Sequence, residues 1–519
     1  MRRTVGVVSV IIALLLIAVA SIIALGSITP NNASKTNSAT SSSLATTTTF
    51  LVPSYSASST ATTKTQTGST PPSETSTFVQ TSNSLTSSSS ETNNGSSPND
   101  FWPTYHQNLQ RDGVYNSQGL RIHNPALKWS SPTLDGAVYA EPLIVHGSVI
   151  AATENNSVYA LNESTGDILW RANLGQPVPR SNLPCGDINP TGITGTPVVD
   201  VATRTIYVVG FLMPGIHELF ALSLTTGTVI FHQNVNPQGV SPLVEQQRGA
   251  LALSDGVVYI PYGGLAGDCG QYHGYVVGIN TNQSGALLSY QVPTGVAGGV
   301  WAPSGLSIDS SGDLFIATGN SESSSTFDYG NSVIKLSPSL LEIDYFAPNN
   351  WLSLNQGDTD VGSLAPSIVG NDTVFQIGKE GVGYLLNESH LGGIGGELFS
   401  SHICSGAFGG TAFEAPYLYV PCINGLYALT LNLSSLSHPT FSVMWNTIQF
   451  DAGPPIVAGG AVWSLDNGSG TLYAFSPSNG SVIFQAHVGN VMRFSTPSAA
   501  DEQIFIAASD KILSYSITT

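Results

Sequence analysis

The feature that most limits what this chain can fold into is a phrase that keeps returning. "AEPLIVHGSVIAATENNSVYALNESTGDILW" occupies residues 140–170. It recurs as "GTPVVDVATRTIYVVGF…ELFALSLTTGTVIF" ending at Phe231, and as "GALALSDGVVYIPYGG…YVVGINTNQSGALLSY" ending at Tyr290. "APSGLSIDSSGDLFIATGN…NSVIKLSPSLLEIDYF" follows, ending at Phe346. "APSIVGNDTVFQIGKEGVGYLLN" and "GTAFEAPYLYVPCINGLYALTLN" are the fifth and sixth copies. "GPPIVAGGAVWSLDNGSGTLYAFSPSNGSVIF", ending at Phe484, is the seventh, and "STPSAADEQIFIAASDKILSYSI" stops short at the C-terminus.

Each copy reads as four short strands joined by turns, the last strand ending on an aromatic residue. One such sheet cannot cover both its apolar faces, whereas a ring of them buries each face against a neighbour. Gly166, Gly227 and Gly480 each precede the aromatic (Trp170, Phe231, Phe484) by four residues. There glycine permits the tight reversal, and the ring is expected to dock on the next unit. The eighth copy lacks its fourth strand, and "NPALKWSSP" (124–132), with Trp129, has the pattern that completes it. The expected fold is all-β: an eight-bladed β-propeller of four-stranded antiparallel blades over residues 99–519, closed by that N-terminal strand.

Ahead of it, Arg2 and Arg3 precede Val5–Leu25, 21 residues without a charge. That is enough to span roughly 30 Å of hydrocarbon and longer than the apolar part of a cleavable signal. "ALG" at 24–26 resembles a cleavage site, but the length favours a retained transmembrane anchor over 1–26, with the rest exported. Residues 27–98 are more than half Ser and Thr, which reads as a disordered stalk, open to O-glycosylation. Charged residues are 9 % of the chain and the net charge is −18 with 15 Lys plus Arg, which argues against nucleic-acid binding. A surface so poor in charge changes its electrostatics little in acid, so an acidic milieu is an expectation. In an exported chain the four cysteines favour disulfides. Three pairings exist. Cys404–Cys422 is favoured because the two flank one apparent hairpin, leaving Cys185–Cys269. In the repeat region sequons stand at Asn155, Asn162, Asn282, Asn371, Asn387, Asn432, Asn467 and Asn479, mostly in apparent turns.

The phrase "VYALNESTGDILW" resembles the repeat of the pyrroloquinoline-quinone (PQQ) propeller superfamily, which includes quinoprotein alcohol dehydrogenases and non-catalytic propellers similar to BamB. The resemblance covers 99–519. In the dehydrogenases PQQ lies on the propeller axis, stacked on a Trp and bound to calcium or a lanthanide, with a carboxylate as base. "GGVWAPSGLSID" (298–309) resembles the segment carrying that floor, giving Trp301. "LFIATGN" (314–320) resembles the one supplying a metal-binding Asn, giving Asn320. "DTDVG" (358–362) resembles an Asp-x-Asp, making Asp358 the candidate base and Asp360 an extra ligand. "KEGVGYLLN" (379–387) gives Lys379 as the cation beside the quinone.

Three departures accompany the resemblance. The turn that should supply a Glu ligand reads "GDCGQYHGYVVG" (267–278), with Cys269 nearest that position, Asp268 beside it as the oxygen donor, and His273 in place of an Arg. An adjacent Cys–Cys pair is absent, and so is a C-x-x-C-H haem motif, so electrons would leave through an external acceptor. Two functions stay open. One is a surface-held dehydrogenase oxidising an alcohol or sugar; the other is a non-catalytic scaffold binding surface proteins or glycans.

Overall fold

The computed structural model describes residues 101–115, 119–435, 437–447 and 450–518. The apolar N-terminal segment and the whole of the Ser/Thr-rich stalk lie outside them. Among the described residues no helix is long and apolar enough to cross a membrane.

Eight sheets follow one another along the chain, each a run of four antiparallel strands. Blade 1 is Leu143–Val145, Ser148–Ala152, Ser157–Asn162 and Ile168–Asn173. The later blades repeat this order, and three of them carry an additional short strand. The strand Ala126–Ser130 pairs antiparallel with Lys511–Ser516 and completes blade 8, as the truncated last copy requires. A closed ring leaves no free inner edge between its first and last blades.

Neighbouring blades are fastened by one recurring contact. Gly166 of blade 1, Gly227 of blade 2 and Gly480 of blade 7 all have positive φ, which glycine adopts without strain. A Cβ on them would run into the rings of Trp129, Trp170 and Trp445, each from the outer strand of the preceding blade. The three indole N–H groups donate to carbonyls of the same turns: Trp129 to Glu163 at 2.9 Å, Trp170 to Leu224 at 3.0 Å and Trp445 to Pro477 at 2.8 Å. Between blades 3 and 4 a tyrosine does the same work, the Tyr290 hydroxyl donating to Glu342 at 2.8 Å.

The segment Phe101–Tyr115, which the repeat does not account for, laces the inner strands together. Trp102 exchanges main-chain hydrogen bonds with Ile144 of blade 1, and Pro103 O accepts from Val199 of blade 2. Leu109, Asp112 and Gly113 carbonyls accept from Ile308, Phe413 and Val457 of blades 4, 6 and 7. Arg111, 2 % exposed, donates to the carbonyls of Leu306, Leu251 and Tyr105 and to the Thr104 hydroxyl. This segment closes the axis from within.

Both expected disulfides are present, Cys185–Cys269 and Cys404–Cys422. The sequon asparagines Asn282, Asn371, Asn432 and Asn479 are exposed. Asn155 instead donates its amide to Asp135 at 3.1 Å.

Two tests follow from the packing. Trp170→Ala should cost roughly 3–5 kcal/mol by opening an indole-sized gap over Gly227, measured by denaturant unfolding against wild type. The second concerns pH. Burial raises Glu141 well above the ordinary value and takes Glu154 to about 7 and Glu245 to about 8. The folded state therefore keeps protons that the unfolded chain releases above pH 4.5, and raising the pH through that window destabilises it. Burial depresses His106 and His217 to about 3 from 6.5, so stability is lost as pH falls through that range. Three carboxyls oppose two imidazoles, and the melting temperature should rise from pH 8 to about 5 and fall below about 4. A maximum at pH 8 would contradict this accounting.

Candidate functional site

Above the plug, the loops of blades 3 to 7 enclose a cavity of about 220 Å³ on the axis. Trp301, Asp358, Asp360, Lys379 and Asp268 all line it. Their arrangement follows from two inserts in the repeat. Insert 347–362 contains the helix Trp351–Gln356, which ends at Gly357 and delivers Asp358 and Asp360 to the axis. Buried Asn355 ties it to insert 321–331: its amide donates to Ser321 Oγ at 2.9 Å, and its oxygen accepts from Asn331 Nδ2 at 2.9 Å. Asn331 Oδ1 in turn accepts from Val361 N at 2.8 Å. The backbone on both sides of Asp360 is thereby fixed.

Asp360 is 4 % exposed and its carboxylate is fully engaged. Oδ1 accepts from Asn320 N at 2.8 Å, while Oδ2 accepts from Trp301 Nε1 at 3.1 Å and from Lys379 Nζ at 2.9 Å. Burial pushes this carboxyl up, against the opposing pull of Lys379. Lys379 also donates to Asp358 Oδ1 at 2.9 Å and to Asp358 O at 3.2 Å. An ammonium has three N–H donors, and three oxygens surround this one. Burial acts to lower the lysine pKa, but Asp360 and Asp358 outweigh it and hold the group above its ordinary value. The ammonium lies 5.7 Å from the centre of the Trp301 ring.

The remaining expected residues divide. Asp268 accepts from the Tyr272 hydroxyl at 2.7 Å at the cavity wall. Asn320 meets Asp360 through its main-chain N–H, not its amide. His273 does not line the cavity: its N–H donates to Glu245 at 2.9 Å and its ring packs edge-on to Tyr275. Residues that sequence reasoning missed are Arg248, Arg493, Phe408 and Phe494, all on the wall. One signal for the arginines was available, because a chain with only 15 Lys plus Arg has few to spare for its axis.

The donors present do not suit an inorganic cation. Cys269, nearest the position where a Glu would stand, is consumed by its disulfide with Cys185. The Asp360 oxygens are taken by three N–H groups, and the Lys379 ammonium already sits between the two carboxylates. Among the described residues no cluster of three or more His, Cys, Asp or Glu is placed to hold a metal. The wall sets an indole, two phenyl rings, three cationic side chains and three carboxylates around one space.

A family model described as outer membrane protein assembly factor BamB matches residues 120–335. The match covers less than half of the chain. The quinohemoprotein alcohol dehydrogenase from Comamonas testosteroni is similar at 15 % identity and TM-score 0.62, over 80 % of each chain. A europium-containing methanol dehydrogenase is similar at 13 % identity and TM-score 0.61, over 80 % of this chain and 98 % of that one. BamB from Moraxella catarrhalis follows at 15 % identity and TM-score 0.51, over 76 % and 99 %. No curated protein sequence matches. At these identities the likeness establishes the shared propeller fold, and the chemistry of this chain's axis has to be argued from its own residues.

Lys379→Met should leave Asp358 and Asp360 facing each other without a counter-charge. The variant is expected to lose roughly 3 kcal/mol of stability and to gain terbium(III) binding, read as emission sensitised by Trp301. Saturable terbium emission from the wild type, lost in Asp360→Asn, would show that the carboxylates hold metal with the lysine in place.

Proposed function

We propose that this PQQ-type propeller is an exported, membrane-held binding protein that takes a flat anionic small molecule into its axial cavity without an inorganic cation. The compound on which that reading is tested is PQQ. The observation that supports it is the composition of the wall: Trp301, Phe408 and Phe494 offer aromatic faces, and Lys379, Arg248 and Arg493 offer positive charge. Aromatic faces hold a planar ligand by stacking, and desolvated cations beside them favour an anion over a neutral compound. The apolar segment at 5–25 and the Ser/Thr-rich stretch after it are read as anchor and stalk, which hold the cavity clear of the membrane. Glycans on the exposed sequons belong to the same reading.

Oxidation of an alcohol or sugar is the second reading, and one observation favours it. The Asp358 side chain is 63 % exposed at the cavity, so a substrate hydroxyl can reach its carboxylate. When bound, PQQ supplies a two-electron acceptor. Asp358 would take the hydroxyl proton while Lys379 holds the carboxylate in place.

The test is a PQQ titration of the full-length chain in detergent, first with a chelator and then with calcium or lanthanum. Saturable binding that ignores the metal, and that weakens roughly tenfold in Trp301→Ala, is expected. Dye reduction over an alcohol and sugar panel is expected to be absent. Binding that requires metal, or no binding at all, would overturn the proposal. Dye reduction lost in Asp358→Ala with binding retained would move the protein to the dehydrogenases.

A further inference from the structure

Arg248 stands out among the cations of this chain because it is nearly enclosed and held only by a long ion pair, to an aspartate that it shares with Arg493. Its side chain is 10 % exposed, and its nearest carboxylate, Asp187, lies 3.7 Å away, beyond hydrogen-bond reach. It makes no hydrogen bond to any described protein group. Arg111, the other enclosed arginine, spends its donors on four protein oxygens. A guanidinium carries five N–H donors in a rigid fork, and leaving them unmet inside a protein is costly.

The fork is also aimed. Arg248 lines the axial cavity and the narrow space beneath it that Tyr105 and Tyr139 bound towards the plug. Its guanidinium carbon lies 5.8 Å from the centre of the Phe494 ring, which stacks on Phe408 at 5.9 Å and 18°. Phe494 holds φ +66, a conformation that a bulky side chain keeps only when its surroundings impose it. Arg493, at the same rim, pairs with the other oxygen of Asp187 at 3.1 Å, so the two arginines share one carboxylate. Burial lowers the Arg248 guanidinium from its ordinary value; Asp187, the strongest charge acting on it, opposes this, with Arg493 adding to the lowering and Tyr139 and Glu154 to the opposition.

We infer that Arg248 is the carboxylate seat of the axial cavity, and that the ligand is an aromatic acid whose carboxylate is gripped by this fork while its ring lies against Phe494 and Trp301. Carboxylate oxygens match the spacing of two guanidinium N–H groups, which gives orientation as well as attraction. The inference rests on the reading of the cavity as a site for a flat anion, and it adds which end of the ligand enters first.

The experiment compares quinoline-2-carboxylate with quinoline-2-carboxamide on the full-length chain by calorimetry. The two share ring and size and differ in charge. The wild type should prefer the acid by at least roughly tenfold. Arg248→Met should bring the two within about twofold by weakening the acid far more than the amide, while Arg248→Lys, which keeps the charge and loses the fork, should fall between them. Equal affinities in the wild type, or a preference that survives in folded Arg248→Met, overturn the seat. That result beside metal-independent PQQ binding would leave the general reading standing. The reverse, an Arg248-dependent preference with no PQQ binding, would keep the seat and discard PQQ. If neither quinoline binds at millimolar concentration, the seat is overturned.

Discussion

An indole lying on a glycine holds this ring together. At the outer edge of blades 1, 2 and 7 the turn before the fourth strand offers a flat backbone patch, with no Cβ to keep the preceding blade away. The tryptophan that covers it also donates to a carbonyl of that turn, so the contact is apolar across the ring and polar at one atom. This fixes distance and rotation between neighbouring sheets together, which a purely apolar contact would leave loose. Repeated around a circle, small angular errors would accumulate until the last blade failed to meet the first. Trp129 is therefore informative: it belongs to the strand that completes blade 8 and docks on Gly166 of blade 1, so ring closure and blade docking are the same event.

Closure by itself leaves a channel down the middle. The segment Phe101–Tyr115 occupies its inner wall, and Arg111 is placed so that each strand it touches supplies an acceptor. Buried Glu141 accepts from Trp102 Nε1 at 3.0 Å and His106 N at 2.9 Å, which ties the plug to the chain entering blade 1. With that end sealed, the axial cavity is a pocket with a floor. Side chains on its wall are accordingly partly desolvated, which strengthens each charge–charge contact there.

Much of this was legible in the sequence, and the illegible part has a common cause. The blades, the closing strand, the glycine–aromatic spacing and both disulfides are periodic or local features, and they appear where the repeat puts them. Trp301, Asp358, Asp360 and Lys379 were found by resemblance, and the structure gathers them around one cavity. What the repeat could not reveal is what meets across the axis. Trp102 and Arg111 precede the first copy and bond to residues as far as 195 positions away. Arg248 and Arg493 come from blades on opposite sides of the numbering and share a wall only because the ring closes. His273 fails for the complementary reason: its turn resembles a site segment, but the main chain directs it to Glu245.

The charges on the cavity wall fall into two sets that are not equivalent. Lys379 is satisfied by Asp358 and Asp360, a cation shared by two anions, leaving that side negative by one charge. Arg248 and Arg493 share Asp187, two cations for one anion, leaving the other side positive by the same amount. With Asp268 also on the wall, three cations face four carboxylates, and the charges are polarised across a space only large enough for a small ligand. A divalent cation would meet an ammonium on the negative side and guanidinium groups on the other, so no part of the wall receives it. A ligand with a carboxylate at one end and a ring carrying hydrogen-bond donors at the other fits both sides at once. The dipole of this pocket, more than its volume, sets what can enter and in which orientation.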